Sequence, residues 1–292
     1  MNRSQASASA HAASLPDTIR RSTAYLQRHG VESARPTVEI LLMSLLGLDR
    51  AGLYTRTDGL DTRTAKLFGR ALCQRCHGVP VQHLTGSQQF FDLVLDVRPG
   101  VFVPRPETET LVEAALESIR GVSDPAVVDV GTGTGAIALA IKRSRPDARM
   151  IATDVSEASV ALASWNAVRL GLDVDVRLGD LLGPVPPELR GRLDLIVSNP
   201  PYVARHEFES LPAEVKLEPY EALVGGTGVQ QRLASAAGVW LAPGGWLMCE
   251  MGETQGEEVE ALFGRTLVDV EVLPDLAGRD RVVRGRRAGR AA

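Results

Sequence analysis

Val127-Val128-Asp129-Val130-Gly131-Thr132-Gly133-Thr134-Gly135-Ala136, followed by Ile137-Ala138-Leu139-Ala140-Ile141, is the stretch on which the fold turns. A short β-branched apolar run enters a glycine turn and leaves as an apolar helix, the order of a buried parallel strand, its loop and a crossover helix. Glycines tolerate positive φ and, lacking Cβ, let the backbone approach a flat ligand at the strand's carboxyl end. The loop fits G-x-G-x-x-[GA] through Gly131, Gly133 and Ala136. Asp154 closes the next strand about 20 residues on, where a carboxylate can accept both ribose hydroxyls of an adenosine-type ligand. Two chemistries stay open at this point, hydride transfer with a dinucleotide and methyl transfer from S-adenosylmethionine. Asp129, just before the turn, favours the second, because a carboxylate there repels pyrophosphate and attracts a cationic amino or sulfonium group.

Outward from this loop, short buried runs at residues 127–130, 150–153, 174–178, 193–197 and 246–251 alternate with helical stretches, which predicts a parallel α/β sheet. Residues 267–272 and 281–283 have no clear helix between them and are expected to pair antiparallel at one sheet edge. Upstream, residues 17–78 read as helical, with Ile19, Leu26, Ile40, Leu41, Leu45 and Leu46 at three- and four-residue spacing and Gly30 and Gly47 as stops. Between them, Gln89-Phe90-Phe91 and Leu93-Val94-Leu95-Asp96-Val97 are bounded by Gly86 and Pro99-Gly100, a hairpin pattern. The expected organisation is a disordered leader over 1–14, a helical domain over 15–79, a β-hairpin linker over 80–104, a catalytic α/β domain over 105–285 and a basic tail over 286–292.

Hydrophobic residues make up 44% and charged residues 23%, as in a soluble globular protein, and a net charge of -4 argues against a dedicated nucleic-acid binder. No apolar run reaches the roughly 18 residues of a membrane span, and the Ser/Ala-rich start lacks a signal-peptide core. Cys73, Cys76 and Cys249 cannot close a disulfide framework, which suits a reducing compartment and a cytoplasmic protein. Cys73-Gln74-Arg75-Cys76-His77 has metal or redox spacing. With no second ligand pair and a helical setting, however, two packing cysteines on one turn are the expectation, and no metal. Arg279, Arg281, Arg284, Arg286, Arg287 and Arg290 form the one local basic cluster, read as a solvated strand end rather than an RNA site, since no aromatics interleave for base stacking.

Leu193-Asp194-Leu195-Ile196-Val197-Ser198-Asn199-Pro200-Pro201-Tyr202 is another buried strand, whose carboxyl end belongs beside the glycine loop. Consecutive prolines stop the strand and remove two N–H groups, so nearby carbonyls are released from the ladder to accept from a ligand. A planar amide or exocyclic amine is a poor nucleophile, and methylation by a sulfonium needs nitrogen, methyl and sulfur in line, so positioning must supply much of the catalysis. The Asn199 side-chain oxygen and the Pro200 carbonyl can each accept one N–H, and Tyr202 can stack on the flat target. Asn199, Pro200, Pro201 and Tyr202 are therefore the candidate catalytic and substrate-binding residues. Taken by itself, the tetrapeptide would serve an exocyclic nucleobase amine equally well.

With three further motifs the chain resembles the release-factor glutamine methyltransferases over residues 35–283. The motifs are Gly78-Val79-Pro80-Val81-Gln82-His83-Leu84-Thr85-Gly86, Pro99-Gly100-Val101-Phe102-Val103-Pro104-Arg105-Pro106-Glu107-Thr108-Glu109, and Ser198-Asn199-Pro200-Pro201-Tyr202-Val203. The resemblance implies a seven-stranded Rossmann-like methyltransferase domain behind an N-terminal helical substrate-recognition domain. It also implies S-adenosylmethionine as cofactor and, as substrate, the Gly-Gly-Gln glutamine of class 1 peptide chain release factors, with neither a membrane nor a stable nucleic-acid complex as partner. By the same carry-over Asp129, Gly131, Thr132, Gly133, Thr134, Gly135, Asp154 and Asn199 hold the cofactor, Asp180 and Leu181 lie at its adenine, and Phe102 packs beside substrate or cofactor. Gly226-Thr227-Gly228-Val229-Gln230 and Met251-Gly252 depart from the family's pattern, which leaves a small-molecule amide or guanidine as an alternative target.

Overall fold

The computed structural model describes residues 13–289, so residues 1–12 of the expected leader, and Arg290 with the rest of the tail, lie outside the described part. The chain divides into two compact units between Thr85 and Gly86.

The first unit is helical. Helices α1 (Leu15–Arg28), α2 (Ala34–Leu46), α3 (Arg50–Thr55), α4 (Thr62–Cys76) and α5 (Val81–Thr85) enclose a core that includes Leu15, Leu26, Val38, Leu42 and Phe68. Pro16 at the start of α1 and the Ser14 hydroxyl, accepting from Asp17 N–H at 3.3 Å, define its first turn. Gly47, at φ 63°, ends α2 in the left-handed conformation that glycine adopts without a Cβ penalty. Three expectations change here. Ile40 faces outward while Leu41 and Leu42 are buried, because the apolar run is wider than the stripe a helix can hide. Residues 81–85, expected in the linker, form a helix packed within this unit. Of the two cysteines expected to pack, Cys76 does so, whereas Cys73 is exposed. The His77 ring nitrogen Nδ1 instead lies 2.8 Å from the Cys73 carbonyl oxygen and closes the helix end.

The second unit begins with the hairpin β1 (Ser87–Phe90) and β2 (Leu93–Asp96), whose buried Phe90, Leu93 and Leu95 join the core of this unit. There follow α6 (Glu109–Ser118), β3 (Ala126–Val130), α7 (Ala136–Ser144), β4 (Arg149–Asp154), α8 (Glu157–Leu170), β5 (Asp175–Leu178), β6 (Leu193–Ser198), α9 (Tyr220–Leu223), α10 (Gly228–Trp240), β7 (Leu241–Glu250), α11 (Gly256–Phe263), β8 (Val268–Pro274) and β9 (Asp280–Arg286). Among the described residues seven strands form one sheet in the order β5-β4-β3-β6-β7-β9-β8. The first five run parallel and β9 is antiparallel to both of its neighbours. Both faces are covered. Val127, Leu195 and Met248 belong to one apolar cluster, and Val128, Ile196 and Leu247 to the other. This double burial is why these strands read as continuous apolar runs rather than alternating ones.

The basic cluster near the chain's end is not a free surface. Arg281 is buried and paired with Asp275, Arg284 pairs with Glu271, Arg286 with Asp269, and Arg287 donates to the Leu241 carbonyl. Among the described residues no helix is long and apolar enough to cross a membrane, and no group of three or more His, Cys, Asp or Glu could hold a metal ion.

Candidate active site

The sheet register aligns the candidate residues. Thr153, Val130, Ser198 and Cys249 are neighbours across β4, β3, β6 and β7. One residue further along each chain, at the carboxyl edge of the sheet, come Asp154, Gly131, Asn199 and Glu250. The connections leave β3 toward β4 on one side while β6 lies on the other, so a crevice opens at this edge, the usual ligand position of an open α/β sheet.

The glycine loop is held from β4. Gly131 and Thr132 N–H both donate to the Thr153 carbonyl, at 2.8 and 3.0 Å, and Gly133 N–H donates to Asp154 Oδ2 at 2.9 Å. Gly131 and Gly133 have φ of 72° and 57° and nothing within 4 Å of where a Cβ would stand, so the loop's outer face is open. Gly135, at φ 86°, is glycine for a different reason: a Cβ would press on Leu139 and Ala163 at 3.0 and 3.3 Å. Thr134, buried, presents its carbonyl to the Asn166 amide at 3.0 Å.

Asp129 is fully buried beneath this turn. Its Oδ2 accepts from the Thr132 hydroxyl at 2.6 Å and from Ala138 N–H at 3.2 Å, while Oδ1 is buried without a protein donor. Burial pushes its pKa up to about 7, and only in part do the two donors offset this. A half-satisfied carboxylate below an open glycine turn fits the cationic end of S-adenosylmethionine. Asp154 is also raised by burial. Its oxygens accept backbone N–H from Gly133 and Ser156, each at 2.9 Å, which fixes the carboxylate beside the glycine loop.

At the neighbouring strand end, Ser198 Oγ donates to the Val130 carbonyl at 2.8 Å and ties β6 to β3 just before the turn. The Asn199 side-chain N–H donates to Thr108 Oγ1 at 3.1 Å, so the amide oxygen remains for another donor. Pro200 is buried and Pro201 half-buried. The backbone beyond them is clamped from two sides. Val203 pairs with the 223–226 segment, donating to the Leu223 carbonyl at 2.9 Å and accepting from Gly225 at 3.1 Å, and Gln255 Nε2 donates to the Tyr202 carbonyl at 2.8 Å. The Tyr202 hydroxyl donates to Glu250 Oε1 at 3.1 Å, and burial with the adjacent carboxylate raises its pKa, so it stays a neutral phenol.

Four contributors escaped the sequence reading: Thr108, Glu218, Glu250 and Gln255. Glu218, buried, pairs with Arg105 and takes Val103 N–H at 3.4 Å, which pins the 103–108 strap above the sheet edge. Phe102 is half-buried on that strap, with the Arg105 guanidinium 5.0 Å from its ring centroid. Glu250 had one legible signal, an acid at the carboxyl end of a buried strand like Asp154. The other three are set by contacts 53 to 115 residues apart. Asp180 is exposed and ion-paired with Arg232 of α10. Leu181, at φ 48°, is half-buried against the core, with its carbonyl accepting from the Thr153 hydroxyl at 2.8 Å. Of the departures from the family's pattern, Gln230 is fully buried and donates to the Glu250 carbonyl at 3.4 Å, while Met251 is buried in the core.

Residues 95–215 match the methyltransferase small domain and residues 17–86 the PrmC N-terminal domain. The release factor glutamine methyltransferase of Geobacter sulfurreducens is 40% identical over 268 residues, spanning 90% of this chain and 93% of its own. That of Xylella fastidiosa is 41% identical over 281 residues, spanning 94% of this chain and 100% of its own. Among solved structures, the T. thermophilus 16S rRNA N2 G1207 methyltransferase in complex with AdoMet and guanosine aligns with 69% of this chain and 49% of its own at a TM-score of 0.53 and 22% identity, a likeness of fold alone.

Proposed function

The chain belongs to the release factor glutamine methyltransferases, and on that premise we propose that it transfers a methyl group from S-adenosylmethionine to the side-chain amide nitrogen of the Gly-Gly-Gln glutamine in class 1 peptide chain release factors. The observation that carries the reading is the row Asp154, Gly131, Asn199, which sets a carboxylate and an open glycine turn beside an amide acceptor at one sheet edge.

In this reading Asp154 takes the ribose hydroxyls, the 131–135 backbone approaches the cofactor closely, and Asp129 supplies negative charge under its cationic end. Thr132 and Thr134 order that loop, and Asp180 and Leu181 border the adenine. Bound S-adenosylmethionine supplies an electrophilic methyl group. The Asn199 side-chain oxygen accepts one N–H of the substrate amide and the Pro200 carbonyl accepts the other, which turns the nitrogen lone pair toward the methyl group and stabilises positive charge as it develops. Pro201 fixes the bend that presents this carbonyl. Tyr202 and Phe102 flank the flat target. Tyr202, held as a neutral phenol, is no base, and the proton leaves to solvent once the methylated nitrogen has become acidic.

Incubation with labelled donor and a release factor, with and without the Gly-Gly-Gln glutamine, tests donor, nitrogen and partner together. Label on the intact factor and none on its glutamine-substituted form is the expected result. Label on RNA or DNA but not on the factor overturns the reading.

A further inference from the structure

Asn166 of α8 is a fully buried polar side chain that lies outside the reacting groups. Backbone groups surround its amide. Asp96 N–H, at the end of β2, donates to Asn166 Oδ1 at 2.9 Å, and Asn166 Nδ2 donates to the carbonyls of Asp96 and Thr134, both at 3.0 Å. The Arg169 guanidinium adds a longer bond to Oδ1 at 3.4 Å. A peptide N–H only donates and a carbonyl only accepts, so the NH2 group of Asn166 must face the glycine loop.

The Thr134–Gly135 peptide is thereby held at both ends. Its carbonyl takes the Asn166 N–H, and its own N–H donates to the Thr132 carbonyl at 2.9 Å, the bond that closes the turn carrying Gly133. The same face of α8 sets how near the loop lies, since Ala163, one helical turn before Asn166, would stand 3.3 Å from a Cβ on Gly135. Thr134 is 2% exposed, so water does not replace a lost Asn166 N–H, and a buried carbonyl without a donor is costly. Relief requires the peptide to rotate, which Gly135, with no Cβ, does little to resist. Rotation takes the Gly135 N–H off Thr132 and opens the turn whose outer face is clear at Gly131 and Gly133.

We propose that Asn166 is a positioning residue for the methyl donor: anchored on the end of the β1–β2 hairpin, it holds the Thr134–Gly135 peptide and with it the shape of the glycine loop. The proposal rests on the assignment of residues 131–135 to S-adenosylmethionine.

The test is calorimetric titration with S-adenosylmethionine and steady-state kinetics with a release factor on Asn166→Ala, Asn166→Ser and Arg169→Met, each also followed by chemical denaturation. Asn166→Ala should raise the donor Kd and donor KM about 10- to 100-fold, the scale of a buried carbonyl losing its donor. Because bound donor restores the loop, kcat at saturating donor and the release-factor KM should stay within about threefold of wild type. Arg169→Met is the stability control. It removes the ion pair with Asp96 at 3.2 Å and the bond to the Val94 carbonyl, loosening the same hairpin, but spares both N–H bonds of Asn166. It should lower stability and leave the donor Kd within about threefold. A wild-type donor Kd in Asn166→Ala, a fall in kcat at saturating donor with Kd unchanged, or an equal rise of Kd in Arg169→Met would each overturn the proposal. If Asn166→Ala does not fold, Asn166→Ser, whose hydroxyl stops one bond short of Nδ2, decides in its place with the same expected rise. Gly131→Val, which fills the open face of the loop, checks the underlying assignment separately: if it binds donor as wild type does, residues 131–135 do not hold the donor and that reading falls instead.

Discussion

Gly225 lies so close to Pro201 that a side chain on it would stand on the Pro201 carbonyl oxygen, with the proline ring Cγ at 3.0 Å. It cannot retreat, because its own N–H donates to the Val203 carbonyl at 3.1 Å and the Val203 N–H donates to the Leu223 carbonyl at 2.9 Å, the two bonds of one parallel bridge. The two segments are thus locked face to face by backbone alone. Gly225→Ala should therefore cost about 1–3 kcal/mol, the usual penalty of overpacking, and should also lower turnover by moving the bend that carries Asn199. Thermal unfolding and kcat measured on the same preparation check both.

Asn199→Ala removes the amide acceptor while leaving Asp154, Asp129 and the glycine loop in place. Turnover should fall at least about 100-fold, the scale of a lost charge-stabilising contact, with S-adenosylmethionine binding largely kept. Calorimetric titration beside a labelled-transfer assay separates the two effects, and near-normal turnover would contradict the role given to Asn199.

Asp129 gives a pH signature. Its pKa in the folded, ligand-free protein stands at about 7 against an ordinary 3.8, so it is the unfolded state that ionises first as pH rises. The stability it contributes is complete below pH 3.8 and is lost as pH climbs through about 7. Asp129→Asn should cancel this loss, so the variant's stability advantage without donor grows between those limits and then levels. Donor affinity should run the other way in the wild type, tightening as the carboxylate forms up to about pH 7, and be flat in the variant. Glu250, also raised to about 7 by burial, is present in both proteins and drops out of the comparison.

Arg105→Ala should be strongly destabilising. It strands the Glu218 carboxyl, whose side chain is 1% exposed and whose pKa burial already raises. Breaking such a pair from one side costs about 3–5 kcal/mol where the remaining charge stays buried, somewhat less here because Arg105 itself is 29% exposed. Since the stranded carboxyl can escape by protonation, the loss should shrink as pH falls toward the ordinary Glu range. Chemical denaturation at two pH values measures it.

The parts of the molecule legible in sequence are those whose cause is local. The run from Val127 to Val130 shows as a strand because both its faces are buried, the glycines after it because the turn needs positive φ, and the two prolines after Asn199 because they end a ladder. Even the antiparallel closing pair could be read, from the missing helix between its strands. What lay beyond reach depends on register. Thr108 meets Asn199 across 91 positions and Tyr202 meets Glu250 across 48, and no spacing rule connects them until β6 and β7 are aligned. The helix limits show the opposite error: Ile40 and residues 81–85 have patterns that suit more than one role, and packing chose between them. The arginines of β9 misled for a further reason. Charge in a sequence looks free, whereas here Asp269, Glu271 and Asp275 neutralise it within the same sheet.

The place of β9 also bears on the order in which the molecule can be assembled. It is inserted between β7 and β8, so β8, made earlier, has no strand to join until β9 arrives. The sheet from β5 to β7 can form from sequential crossovers, but its remaining edge waits for residues 280–286, and β7 stays an open edge meanwhile. An open edge is a template for other chains, and β7 carries Glu250 at its end. A ribosome-bound chain stopped short of Asp280 would hold a glycine loop and an Asn-Pro-Pro-Tyr turn without Arg281 facing Glu250 and Tyr202. Competence for the reaction would then come at the end of synthesis rather than with the cofactor fold.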